Sequence, residues 1–229
     1  MIDKLLFPKH CPVCDNIVTG DELICPGCRG VFRYVPEPRC LKCGKHIDFA
    51  EEEFCFDCKR NAKKFTSGVA LYEYESVGDA IFAFKNGGRK EYGRYFGREI
   101  AGKLGKTIKA YKPDYLVPIP LSKQRYKKRG FNQAKVLAEV ISEATGIPIN
   151  TEILMRNSRT KEQKKLSVGE RQNNMVGAFQ IAQNVVKLTI VLVDDVYTTG
   201  STVNEAAVAL LNKGADKVFF VTLAIGEGV

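Results

Sequence analysis

The sequence is most informative in the stretch Leu188-Thr-Ile-Val-Leu-Val-Asp-Asp-Val-Tyr-Thr-Thr-Gly-Ser-Thr202. Residues 190–193 form a short apolar run rich in β-branched side chains, which is typical of a strand buried on both faces of a parallel sheet. Two carboxylates, Asp194 and Asp195, come where this strand is predicted to end. Residues 203–211 then have the pattern of an amphipathic helix. The stretch therefore predicts a strand–loop–helix unit of an α/β sheet.

The loop between the predicted strand and helix has the composition of an anion-binding site. The helix is expected to begin near Ser201 or Thr202, and free backbone N–H groups at a helix N-terminus favour a negative charge. Ligands of open α/β sheets bind at the carboxyl ends of the strands. A phosphate on the loop and sugar hydroxyls on the two carboxylates together describe a sugar phosphate, whereas ordinary Ser/Thr capping would explain only one or two of these residues. The predicted loop residues are Thr198, Thr199, Gly200, Ser201 and Thr202.

All eight cysteines fall before residue 60, in four Cys-x-x-Cys pairs. Each pair places two thiolates on one tight turn, and two pairs complete a tetrahedral zinc site. Eight ligands therefore predict two structural zinc ions. The similar gaps favour pairing in sequence order, and a crossed arrangement stays open. Four disulfides would need an oxidising compartment, for which the N-terminus gives no support. The pairs are Cys11/Cys14, Cys25/Cys28, Cys40/Cys43 and Cys55/Cys58.

A short basic linker, Lys59 to Lys64, separates two segments of different character. We predict a double zinc ribbon in residues 1–64 and a larger domain in residues 65–229. The first segment contains 11 Lys/Arg and 10 Asp/Glu, so that +8 of the net charge of +9 falls on the second. This excess points to phosphorylated ligands, nucleic acid or both. No apolar run approaches the ~18 residues of a membrane span, and the N-terminus lacks a signal peptide's features, so we expect a cytoplasmic protein.

Strand-like and helix-like patterns alternate along the larger segment. This alternation predicts an α/β fold with a doubly wound, mostly parallel sheet. The predicted strands or extended stretches cover residues 67–75, 114–120, 147–155, 177–181, 190–193 and 216–224, and the predicted helices cover residues 77–84, 92–104, 132–144 and 203–211.

Two polar segments of this larger part are rich in lysine and arginine. Residues 121–130 are predicted to be a loop after a Pro-x-Pro strand, and residues 156–173 are predicted to be a lid or a solvated surface loop. Aromatic residues interleaved with the basic ones would suit single-stranded nucleic acid, although most of these rings are expected in the core. The nucleic-acid candidates are Lys123, Arg125, Lys127, Lys128, Arg129, Lys164 and Lys165, and the aromatic residues are Phe84, Tyr92, Tyr95, Phe96, Tyr126 and Phe131.

Several stretches together resemble the type I phosphoribosyltransferases and, within that superfamily, the ComF family of late-competence proteins. Residues 191–202 are similar to the signature that binds phosphoribosyl pyrophosphate in the superfamily. The motif Arg129-Gly-Phe-Asn-Gln-Ala134, preceded by a zinc segment, is typical of the ComF family. The other matching stretches are Val117-Pro-Ile-Pro-Leu-Ser122, Arg159-Thr-x2-Gln163-x2-Leu166 and Arg171-x-Asn173-x3-Gly177-Ala-Phe179. The resemblance covers essentially the whole chain and implies a type I phosphoribosyltransferase-like fold behind a double zinc ribbon.

The resemblance also implies roles for individual residues. Asp194 and Asp195 would bind the ribose hydroxyls, and residues 198–202 would bind the 5′-phosphate. The pyrophosphate, usually accompanied by Mg²⁺, would meet Leu121, Ser122 and Lys123, and Arg159 of the lid would cover it. No residue stands out as a general base, and no motif identifies a particular nucleobase. The sequence thus supports ligand binding better than it supports turnover, and catalytic residues are not assigned.

Three functions follow from the resemblance. The first is a competence protein that assists the uptake of transforming DNA, with single-stranded DNA, the helicase ComFA and the recombination mediator DprA as implied partners. The second is an active phosphoribosyltransferase of nucleotide or base salvage, which would displace pyrophosphate from phosphoribosyl pyrophosphate. The third is a DNA-binding regulator that senses phosphoribosyl pyrophosphate without catalysis.

Overall fold

The computed structural model describes residues 8–157 and 177–226. The α-helices in these two ranges are α1 (Phe56–Arg60), α2 (Tyr74–Asn86), α3 (Tyr92–Ala110), α4 (Lys123–Arg129), α5 (Gln133–Thr145) and α6 (Ser201–Asn212), and a short 3-10 helix covers Pro26–Cys28. The strands are β1 (Lys9–His10), β2 (Ile17–Val18), β3 (Gly68–Glu73), β4 (Tyr115–Pro118), β5 (Leu154–Arg156), β6 (Phe179–Ile181), β7 (Thr189–Tyr197) and β8 (Lys217–Ile225).

The central sheet has four parallel strands in the order β3-β8-β7-β4. Helices cover both faces of this sheet. Helix α6 packs on one face through residues such as Ala206 and Leu210, and helices α2, α3 and α5 pack on the other through residues such as Phe84, Ile100 and Leu137. The predicted doubly wound parallel sheet is confirmed. Its two helical layers bury enough apolar surface to hold the strand ends in fixed positions.

Strand β7 is the centre of the fold, as predicted. Residues 190–193 are completely buried because the strand has a neighbour on each side and helices on each face. The strand is longer than its apolar run, however, and extends to Tyr197. Asp194 pairs with Thr222 and Tyr197 pairs with Ile225 of β8, so the two aspartates lie within the second half of the strand and not after it.

Residues 121–130 were predicted to be a loop, and this prediction is wrong. Residues 123–129 form helix α4. The side chain of Ser122 caps its first turn by accepting a hydrogen bond from Arg125 N at 3.3 Å, and Gly130 ends it in the left-handed conformation with φ 78°. No residue of α4 is buried. The helix therefore has no apolar periodicity, and its capping residues are its only signature in the sequence.

The cysteine-rich segment covers the edge strand β3 of the central sheet. Val35 N donates to Leu71 O and Glu73 N donates to Arg33 O, both at 3.0 Å. Between these two bonds the Tyr34 ring stacks on Tyr72, with 5.1 Å between ring centroids and 18° between planes. The segment thus pairs with backbone groups that a free edge would expose. These contacts cross the predicted domain boundary at residue 64, which itself stays a prediction.

A small antiparallel ladder, β5 with β6, lies apart from the central sheet. It joins the chain on either side of residues 158–176, which fall outside the described ranges. Arg159, Lys164 and Lys165 belong to that segment, so their predicted roles in a lid or in nucleic-acid binding stay predictions. Within residues 8–157 and 177–226, no helix has the length and apolar character needed to cross a membrane.

Candidate functional site

The eight cysteines form two clusters, each with four sulfur atoms within 4.8 Å of one another. The first cluster contains Cys11, Cys14, Cys25 and Cys28, and the second contains Cys40, Cys43, Cys55 and Cys58. Pairing in sequence order is thereby confirmed. Tetrahedral zinc with bonds of about 2.3 Å separates its sulfur ligands by about 3.8 Å. The Cys14–Cys25 and Cys43–Cys55 sulfur distances of 3.7 and 3.6 Å fit that requirement. Both clusters can therefore hold a zinc ion with all four coordination positions filled by cysteine sulfur.

The two clusters differ in their surroundings. In the first, Cys14 is exposed and Cys25 is partly exposed. In the second, Cys43 is completely buried and belongs to the same apolar core as Tyr197 of β7 and Ala206 of α6. The second site is therefore built into the packing that supports β7 and α6.

The two aspartates of β7 lie in different environments. Asp195 is 8% exposed, and its Oδ1 lies 2.7 Å from Lys85 Nζ of helix α2. Asp194 is partly buried beside it and accepts a hydrogen bond from Asp195 N at 2.8 Å. Burial and the neighbouring Asp195 charge raise the pKa of Asp194 to about 7. One carboxylate of the pair is thus neutralised by a lysine, and the other holds its proton more tightly than an ordinary aspartate.

Lys85 was not singled out by the sequence analysis. It follows Ile81 by four positions and Phe84 by one, so it lies at the margin of the predicted apolar face of α2. Its position at the edge of a predicted buried face is the feature of the sequence that could have indicated a partly buried lysine. The partner, Asp195, could not be identified because the pairing depends on how α2 packs beside β7.

We expect Lys85→Met to destabilise the protein by about 3 kcal/mol, because removing one member of a largely buried ion pair leaves the other charge without compensation. Lys85 and Asp195 side chains are 19% and 12% exposed, so solvent screens the pair only weakly. Urea unfolding at pH 7.5 measures the loss. Lys106→Met, an exposed lysine of α3, is the control. A loss no larger than that of the control would contradict the assignment.

A cleft of about 470 Å³ opens at the carboxyl ends of the central strands. The acid pair and the loop after β7 form one of its walls. Three arginines and Lys85 give the cleft a basic lining around the two carboxylates. Its charged and hydroxyl residues are Asp194, Asp195, Thr198, Thr202, Tyr74, Glu75, Lys85, Arg125, Arg129 and Arg156.

A second cavity of about 570 Å³ adjoins this cleft, and Leu121, Arg156 and Thr202 line both. Ser122, Lys123 and Ser201 also line the second cavity. The structure therefore brings the acid pair and the predicted pyrophosphate residues 121–123 together with Thr198, Ser201 and Thr202 of the predicted 5′-phosphate loop, although residues 121–123 and 194–202 are far apart in the sequence. Thr199 and Gly200 line neither of the two cavities. The roles of all these residues toward a ligand stay predictions. Arg156, the first residue of the polar segment 156–173, lines both cavities and was not predicted as a site residue.

The loop of residues 198–202, here called the phosphate loop, turns at Gly200 with φ 71°. A Cβ atom at Gly200 would lie 2.2 Å from the Tyr197 hydroxyl oxygen, so only glycine fits here. Helix α6 begins at Ser201, as predicted. Thr199 Oγ1 donates to Ser201 Oγ at 3.2 Å. The loop thus presents small hydroxyl residues at the N-terminus of a 12-residue helix, which is a favourable position for an anion.

The basic residues of α4 divide into two groups. Arg125 and Arg129 line the cleft, and Arg129 also donates to Gln133 Oε1 at 3.1 Å. Lys127 and Lys128 are exposed on the helix. Of the aromatic residues considered for base stacking, Phe84, Tyr92 and Phe96 are buried core residues, Tyr95 and Phe131 are partly buried, and Tyr126 of α4 is 53% exposed. Tyr126 is therefore the ring best placed to meet a base.

Comparison with known proteins agrees with this architecture. The family model described as "Double zinc ribbon domain" matches residues 2–59, and the model described as "Phosphoribosyl transferase domain" matches residues 89–227. The matched ranges contain both cysteine clusters and the whole of β7 and the phosphate loop. The two cysteine clusters are therefore the zinc sites of a double zinc ribbon.

Curated relatives match along most of the chain. "Competence protein ComFC" of Bacillus subtilis is 31% identical over 209 residues, covering 86% of this chain and 82% of the relative. "Competence protein F" of Haemophilus influenzae is 29% identical, with 91% and 92% covered. "DNA utilization protein YhgH" of Escherichia coli is 29% identical, with 91% and 86% covered. The chain therefore belongs to the ComF family of competence proteins and combines a double zinc ribbon with a phosphoribosyltransferase domain.

Proposed function

We propose that this protein assists the use of incoming DNA during natural transformation, and that its phosphoribosyltransferase domain binds phosphoribosyl pyrophosphate or a related sugar phosphate. The names of the relatives support the first part. The observation that carries the second is that the cleft lined by Asp194, Asp195 and Thr198 adjoins the cavity lined by Ser122, Lys123 and Ser201. A cytoplasmic location is part of the proposal.

The ligand would lie along the two adjoining cavities. Its 5′-phosphate would bind the phosphate loop at the N-terminus of α6, and its ribose hydroxyls would bind the acid pair. The pyrophosphate would lie near residues 121–123, where Arg125, Arg129 and Arg156 offer positive charge. Mg²⁺ prefers oxygen ligands and commonly enters with substrate phosphates, so the oxygen-rich lining fits a magnesium–pyrophosphate ligand.

An active phosphoribosyltransferase is the second candidate, and the arginines of the cleft favour it. Displacement of pyrophosphate from the anomeric carbon develops negative charge on the leaving group, and preorganised cations stabilise such charge. Release of pyrophosphate from phosphoribosyl pyrophosphate in the presence of nucleobases or single-stranded DNA tests this candidate. Ligand binding without any release would favour a sensor of phosphoribosyl pyrophosphate that binds DNA.

Single-stranded DNA is the proposed macromolecular ligand, with helix α4 as its surface. The helix exposes Lys127 and Lys128 next to Tyr126, and such a combination neutralises phosphates while one ring stacks on a base. Lys123 and Arg125 precede them in the same helix, beside the cavities. The helicase ComFA and the mediator DprA remain proposed partners, on family resemblance alone.

We expect affinity for single-stranded DNA to exceed affinity for duplex DNA and to fall steeply with salt, because the contacts release counterions. The double change Lys127→Gln with Lys128→Gln should weaken binding and reduce the slope of log K against log salt by about 1.4, since each single-strand contact contributes about 0.7. Fluorescence anisotropy from 50 to 300 mM salt measures both the affinity and the slope. The control is Lys106→Gln with Lys109→Gln, at the far end of α3. Equal slopes in the two double variants would contradict the assignment of α4.

A further inference from the structure

The phosphate loop is hydrogen-bonded to the linker that follows the second zinc site. Lys63 Nζ donates a hydrogen bond to Thr199 O at 2.8 Å. Lys64 N donates to Asn204 Oδ1 at 2.6 Å, in the first turn of α6. Lys63 itself is partly buried and follows Cys58, the last ligand of the second site, by five positions. Two consecutive linker residues thus form hydrogen bonds with the phosphate loop and with the first turn of helix α6.

Phe65, the first residue after the linker, adds an aromatic cluster to this support. Its ring is completely buried and meets Phe220 and Tyr197 edge-on, at interplanar angles of 82° and 83°. Tyr197 and Phe220 stack on each other with 4.9 Å between centroids. The Tyr197 ring also occupies the position that a Cβ atom of Gly200 would take. The closely packed rings therefore limit how far the backbone of the phosphate loop can move toward Tyr197.

The contact with Thr199 O fixes one particular peptide group. In a planar trans peptide the C=O and the N–H point in opposite directions, so the Gly200 N–H points away from Lys63. Thr198 and Thr202, on either side of this peptide, line the cleft. The ammonium charge on the carbonyl also polarises the peptide, and this makes the Gly200 N–H a stronger donor. A donor of this kind, at the start of α6, suits a phosphate oxygen.

We propose that Lys63 is a positioning residue of the sugar-phosphate site, which acts by orienting and polarising the Gly200 N–H toward a bound phosphate. The inference rests on the proposed sugar-phosphate function. It also assigns a role to the double zinc ribbon: the second zinc site anchors the linker segment from which Lys63 reaches the phosphate loop. The ribbon thereby contributes to a site that is otherwise built by the phosphoribosyltransferase domain.

The test compares Lys63→Met and Lys63→Arg with Lys59→Met in the zinc-loaded, full-length protein. Lys59 is the matched control because it belongs to the same segment and pairs with Glu52, with both side chains at least 40% exposed. Calorimetry with ribose 5-phosphate measures affinity, and the ¹⁵N shift of the Gly200 amide without ligand reports the peptide directly. We expect Lys63→Met to weaken binding about tenfold and to move the Gly200 signal, as loss of one charge-assisted contact would do. Lys63→Arg should restore both, and Lys59→Met should change neither.

The outcomes separate this inference from the function on which it rests. If the wild type binds ribose 5-phosphate and Lys63→Met binds it equally well, the inference is overturned and the proposed function stands. If the wild type binds neither ribose 5-phosphate nor phosphoribosyl pyrophosphate with Mg²⁺, the proposed function fails, and an unmoved Gly200 signal in Lys63→Met overturns the inference as well. A weakened affinity that Lys63→Arg does not restore and that accompanies loss of zinc indicates a general structural role, which also overturns it.

Discussion

Asp194→Asn is expected to make the free protein more stable at pH 8 while it weakens sugar-phosphate binding. The pKa of Asp194 rises from 3.8 to about 7 on folding because burial and Asp195 disfavour its charge. At that site the folded state binds more protons than the unfolded state between about pH 4 and pH 7, so the wild type loses stability as the pH rises through this window. Because asparagine does not titrate, the stability of the variant should not fall in this way as the pH rises.

The size of this effect follows from the shift. A change of about three pKa units corresponds to about 4 kcal/mol as an upper limit. Because Asp194 is only partly buried, we expect about 2 kcal/mol at pH 8 and almost none at pH 4. Urea unfolding at the two pH values measures the difference, with the exposed Asp216→Asn as control. A variant less stable than the wild type at pH 8 would refute the raised pKa.

The same substitution should weaken binding of ribose 5-phosphate ten- to a hundredfold at pH 8, since a charged hydrogen bond to a hydroxyl contributes about 1.5–3 kcal/mol. Ionised Asp194 accepts hydrogen bonds from sugar hydroxyls better than its protonated form does. Wild-type affinity should therefore increase from pH 6 to pH 8, whereas the affinity of Asp194→Asn should change little. Such opposite effects on stability and binding are expected of a residue kept for its ligand.

Cys43→Ser is expected to unfold both parts of the protein together, whereas Cys14→Ser should leave the central sheet intact. Closed structural zinc sites contribute about 10–16 kcal/mol of folding free energy in isolated zinc fingers. Cys43 is completely buried in the core that contains Tyr197 and Ala206, so loss of the second site removes packing beneath β7 and α6. Cys14 is exposed in the first site.

Circular dichroism and thermal unfolding distinguish the two variants. We expect Cys43→Ser to lower the Tm by more than about 10 °C, because each kcal/mol of lost stability lowers the Tm of a domain of roughly 150–250 residues by about 2–4 °C. The loss is a large part of the stability of a typical domain, so the helical signal from the phosphoribosyltransferase domain should fall as well. Cys14→Ser should lose one zinc by elemental analysis and keep most of the helical signal. If both variants kept the same Tm as the wild type, the claim that the second zinc site stabilises the packing beneath β7 and α6 would be contradicted.

Features encoded by neighbouring residues could be predicted from the sequence. The apolar run of residues 190–193 predicted a buried strand because its side chains alone require burial on both faces. The Cys-x-x-Cys pairs predicted zinc because two thiolates on one turn are a local property. The phosphate loop and the start of α6 followed from Gly200 and the hydroxyl residues around it. Each of these features is complete within about a dozen residues.

Features that depend on packing could not be predicted. The Lys85–Asp195 pair joins residues 110 positions apart, and the Lys63–Thr199 contact spans 136 positions. Nothing near Lys63 in the sequence distinguishes it from the other lysines of a basic linker. The pairing of Val35 with Leu71 arises because β3 is an edge strand, and that position depends on the strand order of the whole sheet.

We propose that the cleft beside Asp194 and Asp195 binds phosphoribosyl pyrophosphate. Isothermal titration calorimetry with this ligand and Mg²⁺ should compare the wild type with the double variant that carries Asp194→Asn and Asp195→Asn. Binding of one ligand per chain by the wild type, with loss of binding in a double variant that remains folded, is the result we predict. Absence of binding by the wild type, or equal binding by the double variant, would contradict the claim.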